Sequence, residues 1–229
     1  MSAQVRIISI GTLNAHPLWH ESTPVRTGHA TCSLIESGRQ KIIVNPSLPA
    51  AAILARLSER TPVKPDEITA VFATSFNQEH CRAVSAFDRA SWFASEPELD
   101  AAANRLRNLR DQASSVRDRV VIDQLDFEQS ILDRFKSAPD NLAQGVDLFP
   151  LPGVTAGLCG LIISQPVSTI LITGDAVATI EHLERAQILP NAANAQQAME
   201  SFREAVEIAD VIVPGRDNML LNPARARMS

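Results

Sequence analysis

The chain has 229 residues, 45% of them hydrophobic, and its 26 Asp and Glu outnumber 21 Lys and Arg for a formal charge of -5. That is enough apolar material for a sizeable core in one compact domain, while the acidic balance and the lack of a long basic run argue against nucleic acid or an anionic membrane as partner. No apolar run approaches the roughly 20 residues that cross a bilayer, and the opening MSAQVRIISIG lacks the anatomy of a secretory leader, so a cytoplasmic protein is expected.

Val5 to Gly11 reads as an opening strand, and Thr31 to Glu36 with Lys41 to Val44 reads as an antiparallel hairpin closed by Ser37-Gly38-Arg39-Gln40. His16, His20 and His29 lie in the connection between them; they have no recognised metal spacing and read as loose surface histidines, with a substitute metal cluster as the sharper alternative. Pro49 to Glu59 sets Ile53, Leu54 and Leu57 at helical spacing, and Pro65-Asp66-Glu67-Ile68 then turns into the buried strand Ala70-Val71-Phe72-Ala73. A second helix is expected from near Gln78 through Ala83, Val84 and Phe87, followed by the short strand Trp92-Phe93-Ala94. His80 and Cys81 are neighbours on that helix, but adjacent helical residues point about 100° apart, which argues against a nucleophile and base. Cys32, Cys81 and Cys159 are too scattered for a disulfide framework or a C-x-x-C metal knuckle and read as buried thiols.

From Glu98 to Phe135 the chain becomes dense in Arg, Asp and Gln, with Leu99, Ala103, Leu106, Leu109, Ala113, Val116 and Val120 recurring every three or four residues. This predicts an amphipathic helix or helical pair, a helical insertion over about 97–140 in a single domain of 1–229. One reading is a solvated helix packed on the domain; the other is a homodimer seam or a partner-binding helix, because the stripe persists for three heptads. Both keep the segment away from chemistry.

Strands return at Val146 to Phe149, Gly157 to Ser164 and Thr169 to Thr173, the last two joined by Gln165-Pro166-Val167-Ser168. His182 falls in a loop-to-helix region and is ambiguous between surface and site. A helix over Ala195 to Ile208 and a buried strand at Val211-Ile212-Val213 complete the order. Strands gathered in both halves, each trailed by helices, predict two sheets packed face to face with helices outside.

Four segments, in order, resemble the metallo-β-lactamase superfamily. Leu171-Ile172-Thr173-Gly174-Asp175-Ala176 is similar to its strand ending in T-G-D, and Val211-Ile212-Val213-Pro214-Gly215-Arg216-Asp217 to its closing P-G-H-D. Pro150-Leu151-Pro152-Gly153-Val154-Thr155-Ala156-Gly157 resembles its P-x-P-G-H-T-x-G turn, and Leu34-Ile35-Glu36 through Val44-Asn45-Pro46 its hairpin that ends in an aspartate. The resemblance spans the opening strand to Asn218 and implies an α/β, four-layer αββα sandwich of two mixed sheets. It does not by itself license a function.

The superfamily's metal signature T-H-x-H-x-D-H falls on Thr74-Ser75-Phe76-Asn77-Gln78-Glu79-His80. The resemblance implies that a first zinc would meet Ser75, Asn77 and Val154, none of which brings an imidazole or thiolate, whereas tetrahedral zinc takes three or four N, S or carboxylate ligands. A second ion would meet Glu79, His80, Asp175 and Arg216, three groups able to coordinate and one fixed cation. Asn45, where the pattern usually has an acid, removes a supporting charge. Without a metal to lower the pKa of a bound water, the superfamily's hydrolysis has no hydroxide.

The expectation is therefore a non-catalytic module whose cleft residues Ser75, Asn77, Glu79, His80, Val154, Asp175 and Arg216 receive a small ligand, or whose long helix meets a protein partner, with no metal cofactor. Arg216, sent inward by Pro214-Gly215, is expected to pair with Asp175 and Glu79 in place of a lost cation. The alternative is a metal-dependent hydrolase with one zinc, manganese or iron ion on Glu79, His80 and Asp175.

Overall fold

A computed structural model describes residues 2–226. In chain order the elements are β1 (Gln4–Ser9), β2 (Cys32–Ser37), β3 (Gln40–Val44), α1 (Ala50–Arg60), β4 (Ala70–Phe72), α2 (Gln78–Cys81), β5 (Ser91–Ala94), α3 (Glu96–Ser115), α4 (Arg119–Leu132), β6 (Phe135–Ser137), β7 (Asn141–Ala143), β8 (Val146–Pro150), β9 (Cys159–Ser164), β10 (Thr169–Gly174), α5 (Ile180–Arg185), α6 (Ala195–Ile208), β11 (Val211–Pro214), β12 (Leu220–Leu221) and α7 (Pro223–Ala226). One sheet runs β1-β2-β3-β4-β5-β6 and the other β12-β11-β10-β9-β8-β7. Both are mixed: β3, β4, β5 and β6 pair in parallel, as do β10 and β11, and the remaining pairs are antiparallel.

The apolar runs are continuous because both faces of each sheet are covered, and successive strand residues point to opposite faces. Leu34 and Ile43 pack outward with Ile53 and Leu57 of α1, while their neighbours Ile35, Ile42 and Val44 point into the space between the sheets. Across that space stand Leu161, Ile163, Ile170, Ile172 and Val213. The residues between these, Leu171 and Ile212, face outward onto Leu183 of α5 and Phe202 of α6. Three apolar layers between four structural layers make the αββα sandwich that the sequence predicts.

Three local expectations are corrected. The second helix does not run from Gln78 to Phe87: it stops at Cys81, and a separate 3-10 turn covers Val84–Phe87. The amide of Ala83 donates to the carbonyl of Pro46 at 2.8 Å, and the carbonyl of Glu79, its partner in a continuous helix, accepts from Ala30 at 2.8 Å instead. The segment over Glu98 to Phe135 forms the helical pair that is one of its two expected forms, α3 and α4 separated at Arg117 with a left-handed φ of 56°, but its stripe does not stay buried throughout. Leu106 and Ala113 are buried, but Leu109 is exposed and Val116 and Val120 are 73% and 80% exposed at the hairpin tip. Phe135 belongs to β6 rather than to a helix.

Candidate functional site

The carboxyl ends of the parallel pair β3–β4 in one sheet and β10–β11 in the other meet at one rim, with Gly174 against Thr74, the end of parallel strands where α/β folds carry ligands. Each strand delivers one segment there. After β3, Asn45 adopts φ 50°, a conformation that Asn tolerates better than most residues. From there its side-chain oxygen accepts the amide of Thr74 at 2.9 Å, and its amide donates to Thr74 Oγ1 at 3.0 Å. After β4, Asn77 caps α2 by accepting the amide of Glu79 at 2.9 Å. After β11, the amides of Gly215 and Arg216 donate to the carbonyls of Val177 and Ala178 at 3.0 and 2.8 Å, which turns the Arg216 side chain inward.

Arg216 ends between two acids. Its Nε and Nη2 donate to Oδ1 and Oδ2 of Asp175, both at 2.7 Å, and its Nη1 donates to Oε2 of Glu79. The fork on Asp175 is bidentate, the geometry that matches guanidinium to carboxylate. Arg216 and Asp175 are both 6% exposed, whereas the Glu79 side chain is 34% exposed. Burial is the largest single influence on the Asp175 carboxyl and would raise it, but the Arg216 charge and hydrogen bonds, together with the nearby His80 and His182, outweigh it and hold the group at about 2. Burial likewise opposes the charge on Arg216, and the two acids more than restore it.

His80 lies behind this pair, fully buried, with Nδ1 2.8 Å from Asn77 Oδ1 and Nε2 3.6 Å from Asp175 Oδ2. Burial, aided by Arg216 and opposed by Asp175, lowers its pKa to about 4, so the ring is neutral near pH 7 and forms no ion pair. Burial also pushes the Cys81 thiol up to about 12, which removes it as a nucleophile. Ser75 is buried as well, its Oγ 3.5 Å from Thr155 Oγ1. Val154 packs with Leu13, Ala178 and Leu189.

Asn77, Glu79, Val154, Asp175 and Arg216 line one cleft of about 570 Å³, together with Leu13, Asn14, Glu21, Thr155 and Asn191. Ser75 and His80 sit beneath its floor rather than on it. Two metal ions do not fit this donor set: Ser75, Asn77 and Val154 offer neither imidazole nor thiolate for the first, and a guanidinium holds the carboxylates that would bind the second.

Sequence reasoning missed Glu98, in a segment expected to stay clear of chemistry. It lies in the first turn of α3 and is 4% exposed. Its Oε1 accepts the amide of Phe76 at 2.8 Å, and its Oε2 accepts Thr155 Oγ1 at 2.6 Å and the amide of Gly157 at 3.3 Å. The carboxylate thus ties together the two loops that carry Ser75, Asn77 and Val154. Gly157 permits this docking, since a Cβ there would sit 2.0 Å from the amide nitrogen of Glu98. The legible signal was Ser95-x-x-Glu98, which reads as a capping box; Ser95 does accept the amide of Glu98, but the carboxylate is spent elsewhere.

The histidines divide. His20 is exposed and His29 partly so, but the expectation of loose surface histidines fails for His16, which is 2% exposed, and His182, ambiguous in sequence, is fully buried. His16 stacks on Trp19 with centroids 4.2 Å apart and lies 5.3 Å from the His182 ring. Thr179 Oγ1 stands between them, 3.2 Å from His16 Nε2 and 2.9 Å from His182 Nδ1. Trp19 Nε1 donates to Glu181 at 3.0 Å, so this cluster pins the strap of residues 12–29 beside the cleft that its Leu13, Asn14 and Glu21 line.

Comparison with known proteins agrees with this architecture. Among solved structures, a putative metallo-beta-lactamase from Thermotoga maritima superposes with a TM-score of 0.69 at 17% identity, over 96% of this chain and 100% of that one. A mutant of AiiA from B. thuringiensis with N-decanoyl-L-homoserine bound at its active site gives 0.65 at 17% identity, over 100% and 96%. AidC, a dizinc quorum-quenching lactonase, gives 0.62 at 18% identity, over 78% and 67%. No curated protein matches the sequence. A family model described as the metallo-beta-lactamase superfamily matches residues 25–216. With that match spanning most of the chain and the strand-end loops falling where the fold builds its cleft, the chain belongs to the metallo-beta-lactamase superfamily.

Proposed function

We propose that this chain is a metal-free binding protein, a pseudoenzyme that uses the superfamily's cleft to hold a small molecule. The reading is carried by one observation: the guanidinium of Arg216 is bonded to both Asp175 and Glu79, the acids that would otherwise bind a metal. A buried carboxylate beside a second, partly exposed one needs a cation, and a covalently attached one competes with a divalent ion by occupancy and by repulsion. Val154, packed in an apolar cluster, gives the first metal position no donor.

The ligand is bounded by the lining. Leu13, Val154 and Leu189 supply apolar wall, and Asn14, Asn77, Thr155 and Asn191 supply hydrogen-bonding groups. Asp175 and Glu79 exceed Arg216 by one charge, and Glu21 is offset by Arg26, so the cleft favours a neutral or amine-bearing molecule over an anion. A protein partner is a separate use of the fold: Val116, Val120 and Phe127, exposed on the α3–α4 hairpin, support a second copy of the chain as the first candidate, to be checked by light scattering.

The test is metal content and turnover together. Tag-free protein is expected to carry far less than one equivalent of zinc, manganese or iron by mass spectrometry. It is also expected to leave N-acyl homoserine lactones, named for the structural relatives, unopened after metal supplementation. One bound ion per chain, lost in His80→Ala, with lactone or ester cleavage, would replace this reading with a mononuclear hydrolase.

A further inference from the structure

The strap of residues 12–29 is fixed at its base and folded on itself. At the base, Thr12 and His29 exchange amide to carbonyl bonds at 2.9 and 3.1 Å, and the amide of Ala30 donates to the carbonyl of Glu79 at 2.8 Å. Within the strap, the amides of Val25 and Arg26 donate to the carbonyl of Asn14, while Glu21 accepts the amide of His16 and the guanidinium of Arg26. A loop braced in this way moves as a unit. Its tip meets α5 through side chains: His16 Nε2 lies 3.2 Å from Thr179 Oγ1 and 3.3 Å from Glu181 Oε2, and Trp19, stacked on His16, donates to Glu181 Oε1 at 3.0 Å.

The hydrogens of this latch can be assigned. Thr179 has one hydroxyl hydrogen and gives it to Glu181 Oε2 at 2.7 Å. Its oxygen therefore accepts from His182 Nδ1 at 2.9 Å and from His16 Nε2. In the neutral form of each ring the other nitrogens, His182 Nε2 and His16 Nδ1, then carry lone pairs, and both atoms are buried without a partner. A proton added to either makes a buried donor with no acceptor, and two protons set like charges on rings whose centroids are 5.3 Å apart. The facing charges do not offset this. Around His182, Glu181 and Asp175 favour a cation while His16 and Arg185 oppose it, and Asp175 is already held by Arg216. Around His16 stand Glu181 and the paired Glu21 and Arg26. Burial decides the balance and brings His182 down to about 4 from an ordinary 6.5.

We propose that the strap is an acid-released lid on the cleft, latched while His16 and His182 are neutral and swung open when they take up protons. The inference concerns access to the cleft that the proposed function uses, and it rests on that reading for its role. Leu13, Asn14, Pro17 and Glu21 of the strap form part of the cleft wall, so release of the tip widens the mouth. In the open state His182 regains water and titrates as an ordinary imidazole. The open form therefore gains protons below pH 6.5 that the latched form refuses until about pH 4, and opening is favoured as pH falls through that window.

The experiment is hydrogen exchange of the tag-free chain at pH 7, 6 and 5, read by mass spectrometry and corrected for the intrinsic pH dependence of exchange. Between pH 7 and 5, protection across 13–26 is expected to fall about 20-fold relative to β10 and β11 from His182 alone. The double variant His16→Gln/His182→Gln, whose side-chain amides still donate to Thr179 but do not titrate, is expected to show no such fall. Strap protection that falls equally in the double variant, that falls only in step with β10 and β11, or that does not fall overturns the inference. If the double variant does not fold, an NMR titration of wild type decides: the midpoint of His182 must coincide with that of the strap amides, and separate midpoints overturn the lid. Those failures leave the proposed function standing, whereas stoichiometric metal with lactone cleavage overturns that reading and not the lid.

Discussion

Removing the Arg216 side chain leaves two acids facing each other in a partly enclosed site, so its contribution is best read as the cost of its absence. In metal-free buffer Arg216→Met is expected to lose about 3–5 kcal/mol in urea unfolding. Arg216→Lys should fall between, because an ammonium cannot fork onto both oxygens of Asp175. A Lys variant as stable as wild type would show that charge alone matters and the bidentate geometry does not. Glu98 is the complementary residue: its carboxylate satisfies three donors on two loops, and Glu98→Ala strands all three. The expected loss is about 2–3 kcal/mol, accompanied by faster hydrogen exchange at the amides of Phe76 and Gly157. Unchanged exchange at those two amides would remove Glu98 from its role as a tether.

At the scale of elements, the strap over residues 12–29 is closed by a bridge between Thr12 and His29 and braced by backbone bonds of its own, such as the amides of Val25 and Arg26 to the carbonyl of Asn14. Its anchors are the His16 stack on Trp19, the Trp19 bond to Glu181, and the pairing of Arg26 with Glu21. Trp19→Ala is expected to leave the melting temperature within a few degrees of wild type while raising hydrogen exchange across 13–26, because loops open locally at a fraction of the global free energy. The α3–α4 pair shows how a helical period can mislead. The spacing of Val116 and Val120 continues the stripe on paper, but the turn at Arg117 breaks the helical path between them, so those valines point to solvent.

For the whole molecule, acid should be destabilising earlier than carboxylates alone would cause. His80 and His182 are buried, and burial, with like charges from Arg216 and from His16 respectively, brings both pKa values down to about 4 from an ordinary 6.5. The unfolded chain therefore takes up protons below pH 6.5 that the folded chain refuses until about pH 4, and stability falls as pH drops through that window. The loss is expected to be on the order of 2–3 kcal/mol for each histidine by pH 4, followed near pH 2 by that of Asp175 as its carboxylate is protonated. Urea unfolding of wild type and His182→Gln between pH 7 and 4 checks the sign: the variant should lose less than wild type over the interval, and an equal loss would exclude His182.

The layers of the sandwich were legible from composition and order because they depend on a property each segment carries alone: whether its apolar residues repeat every two positions, every three to four, or without interruption. The cleft segments were legible for a related reason, since strand-end turns such as Thr173-Gly174-Asp175 and Pro214-Gly215-Arg216 are contiguous in the chain. Contacts between distant residues were not. Glu98 meets Thr155 across 57 positions and His16 meets Thr179 across 163, and nothing local distinguishes either from a capping acid or a surface histidine. Local sequence thus determined the fold and the residue types at the strand-end turns, because residue identity and hydrophobic period are local quantities. Tertiary packing alone decided which polar groups lost water, and with it their charge, their partners and the acid that ties the two cleft loops together.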